Sequence, residues 1–256
     1  MVKGLFTAYT GMINEQHRMD VLTNNLANAS TVGYKKEGAT SQAFDEVLAL
    51  KIKDTTDPGK VKPLGNISLG VKIGENYTNF SQGSFRETGN TFDIALSGNG
   101  FFSVEFKNKA GQTSTKYTRD GRFALDKEGY LVTKDGDFVL GKNGRIKLDP
   151  LNLAFIDRSG GIYQNDRLVA TLDIKDFEDY NYLEHYGENY FQTVAGAKEK
   201  NAEYQTISGY LEMSNIQVVS EMVEMISVSR AYETNQKIIQ TYDSTLEIAA
   251  NQIGKV

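Results

Sequence analysis

The sequence predicts an α+β fold, in which long amphipathic helices at both ends pair in a coiled-coil-like layer around a central, mostly antiparallel β domain. Apolar residues recur every three or four positions near each end of the chain, which predicts the helices. The middle of the chain alternates apolar and polar residues between glycine-containing turns, which predicts strands. We divide the chain into an N-terminal helix with a turn motif (1–40), a connector (41–80), the β domain (81–212) and a C-terminal helix (213–256).

The N-terminal helix is predicted from about Lys3 to Asn28. Residues three and four positions apart share one helix face, so the apolar side chains form a single stripe that has to be buried. The C-terminal helix is the obvious partner, and a two-helix layer also leaves a second face for neighbouring subunits. Both intramolecular pairing and packing between subunits therefore stay open. The stripe consists of Leu5, Tyr9, Met12, Met19, Leu22 and Leu26.

A polar, turn-prone segment ends this helix, with the sequence NNLANASTVGYKK at residues 24–36. Asn28 and Gly33 suit left-handed or turn conformations, and Ser30 and Thr31 can hydrogen-bond to their own backbone. Asparagine side chains both donate and accept hydrogen bonds, so they also suit contacts between subunits. The residues alone favour an ordinary helix end and turn, with subunit contact as the alternative.

Short strands are predicted between dipeptides whose second residue is glycine, because such dipeptides supply the positive φ angles of tight hairpin turns. The pattern is typical of an antiparallel barrel or sandwich. Residues 51–66 contain two of the three prolines and are predicted to be a polar connector. The turn pairs are Asn99-Gly100, Asp120-Gly121, Glu128-Gly129, Asp135-Gly136 and Asn143-Gly144, and the strands are predicted over 92–96, 101–106, 122–125, 130–133, 138–140, 153–156, 168–174 and 209–212.

The C-terminal helix is predicted from Ser214 to about Gln252. Ser214 and Gln217 have the spacing of a capping box, in which the serine side chain accepts from the backbone N–H three residues on. About forty helical residues would span about 60 Å, which favours a coiled-coil or bundle element. A polar stretch at 230–236 interrupts the apolar stripe. The stripe runs through Val219, Val223 and Ile226 and continues through Ile238, Tyr242 and Leu246.

Composition argues against several classes of function. The 256 residues carry a formal net charge of −5 with interspersed charges, so no basic surface for nucleic acid is expected. Cysteine is absent, and the two histidines, His17 and His185, are far apart in sequence and belong to no metal-binding motif. We therefore expect no cofactor, no metal and no enzymatic activity. No apolar run is long enough to span a membrane, and the first sixteen residues do not match a cleaved secretory signal.

Three motifs in order resemble the signatures of the flagellar rod and hook protein family. GLFTA at 4–8 with NNLANASTVGYKK resembles its N-terminal signature. LSGNGFF at 96–102 with YTRDG at 117–121 resembles its β-domain signature. SNI at 214–216, EMVEMI at 221–226 and RAYETN at 230–235 resemble its C-terminal signature.

The resemblance implies a structural role. Subunits would stack helically into a hollow drive shaft that transmits torque from the motor to the hook, with the terminal helices lining the inner tube and the β domain outside. The expected partners are copies of this chain, neighbouring rod and hook proteins, the flagellar export apparatus, and peptidoglycan or a surrounding bushing. The expected location is the extracytoplasmic basal body, reached without a cleaved signal peptide. RAYE at 230–233 and the segments 44–48, 64–71 and 81–83 are more similar to distal-rod subunits, and the larger proximal-rod subunit stays open.

Two other classes of function compete with this interpretation. One is a cell-wall hydrolase that uses carboxylates of the β domain, and the other is a soluble ligand-binding β module. No residues show a catalytic pair for the first, and the second gives no reason for long amphipathic helices at both ends. The candidate residues for contacts between subunits are Leu5, Tyr9, Met12, Met19, Leu22, Asn24, Asn25, Leu26, Asn28, Thr31, Gly33, Tyr34, Val219, Met222, Val223, Ile226, Arg230, Tyr232, Asn235, Ile238, Tyr242 and Leu246.

Overall fold

The computed structural model describes residues 2–51, 62–108, 111–187 and 189–253. These residues form two compact units, each assembled from distant parts of the chain. The first, which we call the helical unit, combines residues 2–27, 37–51, 62–79 and 217–253. The second, the β unit, combines residues 28–36 with the described residues of 80–216. The chain therefore passes between the units after residues 27, 36, 79 and 216.

Two long helices dominate the helical unit and confirm the helices predicted at both ends. They are α1 (Val2–Ala27) and α2 (Val218–Ile248), and a π-helical turn at Ala249–Ile253 follows α2. Neither sequence contains proline, so the backbone hydrogen-bond ladder is not interrupted. Among the residues that the structure describes, no helix is both long and apolar enough to cross a membrane.

The helices run antiparallel, because the end of α1 meets the start of α2. The Asn25 amide nitrogen lies 3.3 Å from the Glu221 carboxylate, and Arg18 forms an ion pair with Glu224 at 3.1 Å. At the other end, a Cβ added to Gly4 would overlap the Tyr242 hydroxyl. Glycine there costs roughly 1 kcal/mol of helix propensity, but it allows the aromatic ring to approach the α1 backbone.

Helix α2 begins later than predicted, and the predicted capping box is wrong. The cap residue is Gln217, whose side chain makes no capping hydrogen bond, and the Ser214 hydroxyl is buried without a hydrogen-bond partner. The reason is tertiary: the Met213 N–H donates to the Ser84 carbonyl at 2.8 Å, which holds the preceding backbone outside the helix.

Two antiparallel strand pairs occupy much of the segment predicted to be a connector. Strand β1 (Glu37–Ala43) pairs with β4 (Val71–Thr78), and β2 (Val47–Lys51) pairs with β3 (Lys62–Ile67). Residues 52–61 of that segment lie outside the described part of the chain. The described flanks are therefore regular β structure and belong to the helical unit.

The β unit is antiparallel throughout its described pairings, as predicted. Its largest sheet has ten strands, with β17-β18-β8-β7-β11-β10-β9 as the main path, and β13-β14-β15 form a separate three-stranded sheet. Its strands are β5 (Phe85–Glu87), β6 (Ile94–Gly98), β7 (Phe101–Lys107), β8 (Thr113–Thr118), β9 (Phe123–Leu125), β10 (Leu131–Thr133), β11 (Phe138–Gly141), β12 (Gly144–Arg145), β13 (Ala154–Ile156), β14 (Gly161–Gln164), β15 (Arg167–Thr171), β16 (Ile174–Phe177), β17 (Leu183–Tyr186), β18 (Tyr190–Thr193), β19 (Glu199–Asn201), β20 (Tyr204–Ser208) and β21 (Tyr210–Glu212).

Strand β7 separates two hydrophobic clusters, because successive side chains of a strand point to opposite faces. Phe102 joins the larger cluster, which is mostly aliphatic and includes Leu131 and Ile162. Phe101 joins an aromatic cluster that contains Phe177 and Phe191. Both Phe101 and Phe102 are fully buried, so this strand is covered on both faces.

One predicted turn and one predicted strand differ from what the sequence pattern indicates. Gly121 does not adopt a positive φ; a Cβ there would overlap the Ile94 carbonyl, so close backbone approach requires the glycine. The strand predicted over 168–174 is two strands, because Leu172 and Asp173 donate to the Gly160 and Leu140 carbonyls between β15 and β16. The remaining predicted turn pairs have positive φ at Gly100, Gly129, Gly136 and Gly144.

The buried hydroxyl of Tyr180 predicts a loss of stability in alkali. Burial, reinforced by its 2.7 Å hydrogen bond to Asp176, raises the pKa of Tyr180 from 10.0 to about 12. A raised folded-state pKa gives stability that is complete below about pH 10 and is lost as the pH rises through about 12. We expect Tyr180→Phe to be less stable than the parent near neutral pH, and the difference to shrink above pH 10. Denaturant unfolding at several pH values measures this, and a constant difference would contradict it.

Candidate assembly surface and anchored turn

The first part of the apolar stripe of α2 is exposed. Val219 and Val223 are 76% and 63% exposed, and Met222 and Ile226 are also exposed. Ile238 and Leu246, further along α2, and Phe6 and Tyr9 of α1 are exposed as well. Intramolecular pairing of the helices therefore leaves much of the predicted stripe uncovered.

The α1–α2 contact is polar at most of its seven-residue repeats. Gly4, Gly11, Arg18 and Asn25 of α1 are spaced by seven, as are Glu221, Val228, Asn235 and Tyr242 of α2. We call these eight residues the seam. A Cβ added to Gly11 would lie 3.0 Å from the Asn235 amide nitrogen, so the two helices approach closely there as well.

Asn25 is the most connected residue of the seam, and it is fully buried. Its amide nitrogen donates to the Glu37 carbonyl at 2.7 Å and to the Glu221 carboxylate at 3.3 Å, and its amide oxygen accepts from the Glu37 N–H at 3.0 Å. One side chain therefore connects α1, α2 and the start of β1. These hydrogen bonds lie within the chain, as expected for an asparagine in a helix end and turn.

The candidate residues divide into three groups by exposure. Leu22, Asn25, Gly33 and Tyr34 are buried. Leu5, Met12, Met19, Leu26, Asn28, Thr31, Tyr232, Asn235 and Tyr242 are half-buried. Tyr9, Asn24, Val219, Met222, Val223, Ile226, Arg230, Ile238 and Leu246 are exposed. The exposed group holds the residues available to another molecule.

The turn after α1 is anchored within the β unit. Gly33 has φ +72, its N–H donates to the Glu212 carbonyl at 2.8 Å, and a Cβ there would lie 2.5 Å from the Asp120 backbone nitrogen. Val32 forms an isolated antiparallel bridge with Met213. A side chain at Gly33 would therefore meet both backbone strain and a steric overlap, as the sequence predicts for a turn that needs glycine.

A buried ionic cluster of Lys35, Arg119 and Glu212 holds the same turn. The Lys35 ammonium lies 2.6 Å from one oxygen of Glu212, and the Arg119 guanidinium lies 3.3 Å from the other. The side chains are at most 3% exposed. Burial lowers the pKa of Lys35; the Glu212 carboxylate opposes this shift, whereas Arg119 adds to it. Burial also lowers the pKa of Arg119.

Backbone groups supply further hydrogen bonds to this cluster, although the buried Nε of Arg119 has no partner among the described residues. Lys35 donates to the Ser81 carbonyl at 2.9 Å, Arg119 donates to the Gly98 carbonyl at 3.0 Å, and Glu212 accepts from the Gly83 N–H at 2.9 Å. Desolvated charges are stable only when they are paired and hydrogen-bonded in this way. Sequence reasoning placed Lys35 only as a cation at the exit of the turn and missed Arg119 and Glu212, although both lie in or beside segments with recognisable patterns.

A matched pair of glycine substitutions tests the turn. Gly33 and Gly89 have φ of +72 and +71, but a Cβ at Gly89 meets nothing within 4 Å. Gly89→Ala should lose only the left-handed strain, roughly 1–2 kcal/mol. Gly33→Ala adds the overlap with the 119–120 backbone and should lower the free energy of unfolding further, and Gly33→Val should also impair motility. Denaturant unfolding and a motility assay measure these effects; equal losses for the two alanine variants would contradict the overlap.

Removing one cation tests the ionic cluster. Lys35→Met leaves Glu212 with a single cation and the Ser81 carbonyl with only the Asn215 amide as a donor, and breaking a buried pair costs about 3–5 kcal/mol. The matched control is Lys175→Met, because Lys175 forms a partly exposed pair with Glu199 at 2.7 Å. Exposed pairs contribute about 0–1 kcal/mol. Chemical unfolding of both variants should separate them, and similar losses would count against a structural role of Lys35.

Comparisons with known proteins agree with the order of these elements. The family model described as flagella basal body rod protein matches residues 5–35. The model described as flagellar hook protein FlgE/F/G D1 domain matches residues 95–164. The model described as flagellar basal body rod FlgEFG protein C-terminal matches residues 207–253.

Three relatives that match this chain over nearly its whole length have similar sequence identities to it. The flagellar hook-basal body complex protein FlhO of Bacillus subtilis is 32% identical and covers 100% of both chains. The flagellar basal-body rod protein FlgG of the same organism is 33% identical over 98% of this chain and 99% of its own. The flagellar basal-body rod protein FlgF of Caulobacter vibrioides is 30% identical over 100% of both. The chain therefore belongs to the family of flagellar basal-body rod and hook proteins.

Proposed function

We propose that this chain is a structural subunit of the bacterial flagellar rod, which assembles helically with copies of itself and with neighbouring rod and hook proteins. The observation that carries the proposal is the uncovered apolar stripe of α2, in which Val219, Val223 and Ile226 are exposed. Contiguous exposed apolar surface marks interaction sites, because burying it is favourable in water. The rod and hook-basal body names of the relatives support the same role.

In this proposal, the two faces of the helical layer have different tasks. The seam sets the register of α1 against α2 in a coiled-coil-like pair, and its seven-residue spacing supports this. The exposed candidates supply the contacts between subunits. The four-part division of the chain at residues 40, 80 and 212 then corresponds to inner helix, connector, outer β domain and inner helix of the shaft.

We place the subunit in the distal rod of the basal body, and its role is mechanical, not catalytic. It reaches the extracytoplasmic side through the flagellar export apparatus without a cleaved signal peptide. The support for a distal position is the motif pattern at 230–233 and in the segments at 44–48 and 64–71. The similarity to a FlgF protein supports the alternative of a proximal-rod subunit.

Gene deletion followed by electron microscopy of isolated basal bodies tests this function. A truncated rod without a hook is expected, together with loss of swimming. A stub that contains most of the rod would support the distal position, and a shorter stub would support the proximal alternative. Complete rods and hooks in the deletion strain would overturn the proposal, and hydrolysis of peptidoglycan by the pure protein would favour a cell-wall enzyme.

A charge in the exposed stripe should block assembly without unfolding the monomer. Val223→Asp places a carboxylate where a neighbouring subunit would bury the valine, and burying an unpaired charge is strongly unfavourable. The matched control is Val169→Asp in β15, at a residue that is also exposed. We expect Val223→Asp to abolish swimming and rod formation with an unchanged helical circular dichroism signal, whereas Val169→Asp swims. Normal motility of Val223→Asp would refute the assignment of this surface.

A further inference from the structure

An open cleft of about 390 Å³ lies within the β unit. Two hairpin turns form its walls, the turn between β10 and β11 and the turn between β17 and β18, together with parts of β7 and β8. Its volume falls in the range of small-molecule sites, about 300–1,000 Å³. The described residues that line it are Phe106, Thr118, Asp120, Arg122, Thr133, Lys134, Asp135, Asp137, Tyr186, Gly187, Asn189 and Tyr190.

Several polar groups of the cleft are held in place by their neighbours. Arg122 makes a two-point pair with Asp120, at 2.7 Å through Nη2 and at 3.1 Å through Nε. The Tyr190 hydroxyl donates to Asp137 at 2.9 Å and lies 3.2 Å from the Thr133 hydroxyl. Burial raises the pKa of Tyr190 well above its usual range, so this hydroxyl remains protonated. Arg122, Asp137 and Tyr190 are therefore preorganised, whereas Lys134 and Asp135 in the β10–β11 turn are exposed.

Aromatic rings form the remaining wall. Phe106 packs edge-to-face against Tyr186 at a centroid distance of 5.4 Å and lies 6.0 Å from the ring of Tyr190. The Lys116 ammonium lies 3.9 Å from the centroid of Tyr186, which fixes that ring from one side. Phe106, Tyr186 and Tyr190 are half-buried, so part of their apolar surface remains accessible.

The charges of the cleft restrict the kind of ligand. Among the described residues that line the cleft, Asp120, Asp135 and Asp137 oppose Arg122 and Lys134, which leaves about one net negative charge on these residues at neutral pH. Three carboxylates disfavour a phosphate, and the two cations disfavour a simple ammonium group. A ligand whose groups both donate and accept hydrogen bonds, and whose ring carbons can lie on aromatic surface, fits this combination.

We propose that this cleft binds a neutral oligosaccharide, and the further choice of acetamido sugars, of the kind that forms the glycan strands of a bacterial cell wall, rests on the proposed function. Sugar hydroxyls would exchange hydrogen bonds with Asp135, Asp137 and Lys134, and the apolar faces of the sugar rings would lie against Tyr186 and Tyr190. Because the cleft belongs to the β unit alone, the site requires no neighbouring subunit.

The test is a titration of the isotope-labelled full-length monomer with chitotetraose, a neutral oligomer of N-acetylglucosamine, followed by NMR. We expect amide shifts confined to residues 133–137 and to Tyr186, Asn189 and Tyr190. Asp137→Asn keeps an acceptor for Tyr190 but removes a charged acceptor for the sugar, and it should weaken binding about threefold to tenfold, the effect of one hydrogen bond.

The matched control is Asp166→Asn, the same change in the β14–β15 hairpin of the β unit. This variant should bind the saccharide as the parent does, and equal weakening by both variants would overturn the site. Absence of shifts at millimolar saccharide, or shifts of the same amides by oligolysine but not by saccharide, would also overturn it. The measurement uses the monomer, so its outcome does not depend on rod assembly.

Discussion

The contact between α1 and α2 is the constraint on which the helical unit depends. Helices usually pair through their apolar stripes, but this contact contains Asn25, Glu221, Arg18 and Glu224. Polar groups that are buried in this way favour one register over others, because any shift would leave them without partners. Several apolar residues of α2, among them Val219, Val223 and Ile226, remain exposed, and another molecule could cover them. The same arrangement therefore gives a helix pair with one preferred register and leaves apolar surface of α2 exposed.

The second constraint is the carboxylate of Glu212 between two cations. It joins the turn after α1, the loop after β8 and strand β21, which are far apart in the sequence. Hydrophobic residues of similar size could fill the same space, and buried ionic clusters often add little net stability. Their geometry, however, admits fewer alternative packings. The Gly33 N–H also donates to the Glu212 carbonyl. The position of the turn is therefore determined both by a backbone hydrogen bond and by the ionic cluster.

Much of the fold could be predicted because its signals are local. Alternation identified β7, where Phe101 and Phe102 enter different clusters, and three- and four-residue spacing identified both helices. Local sequence signals failed where tertiary contacts determine the structure. Ser214 does not cap α2, because the N–H of the preceding residue, Met213, donates to the Ser84 carbonyl. Lys35 and Glu212 are separated by 177 positions, so no local pattern could pair them. The stripe of α2 was visible in the sequence, but its orientation was not, because periodicity does not tell which neighbour covers a face.

The discontinuous path of the chain has a consequence for the order of folding. Asn25 and Glu221 are 196 positions apart, yet they meet in the core of the helical unit. During synthesis, α1 therefore remains without its partner until nearly the whole polypeptide has left the ribosome. Closing so large a loop is also slow, because its entropy must be overcome before the contact forms. The β unit, in which many paired strands are neighbours in the sequence, can fold first. Helix α2, which is synthesised after the β unit, then pairs with α1 and completes the helical unit.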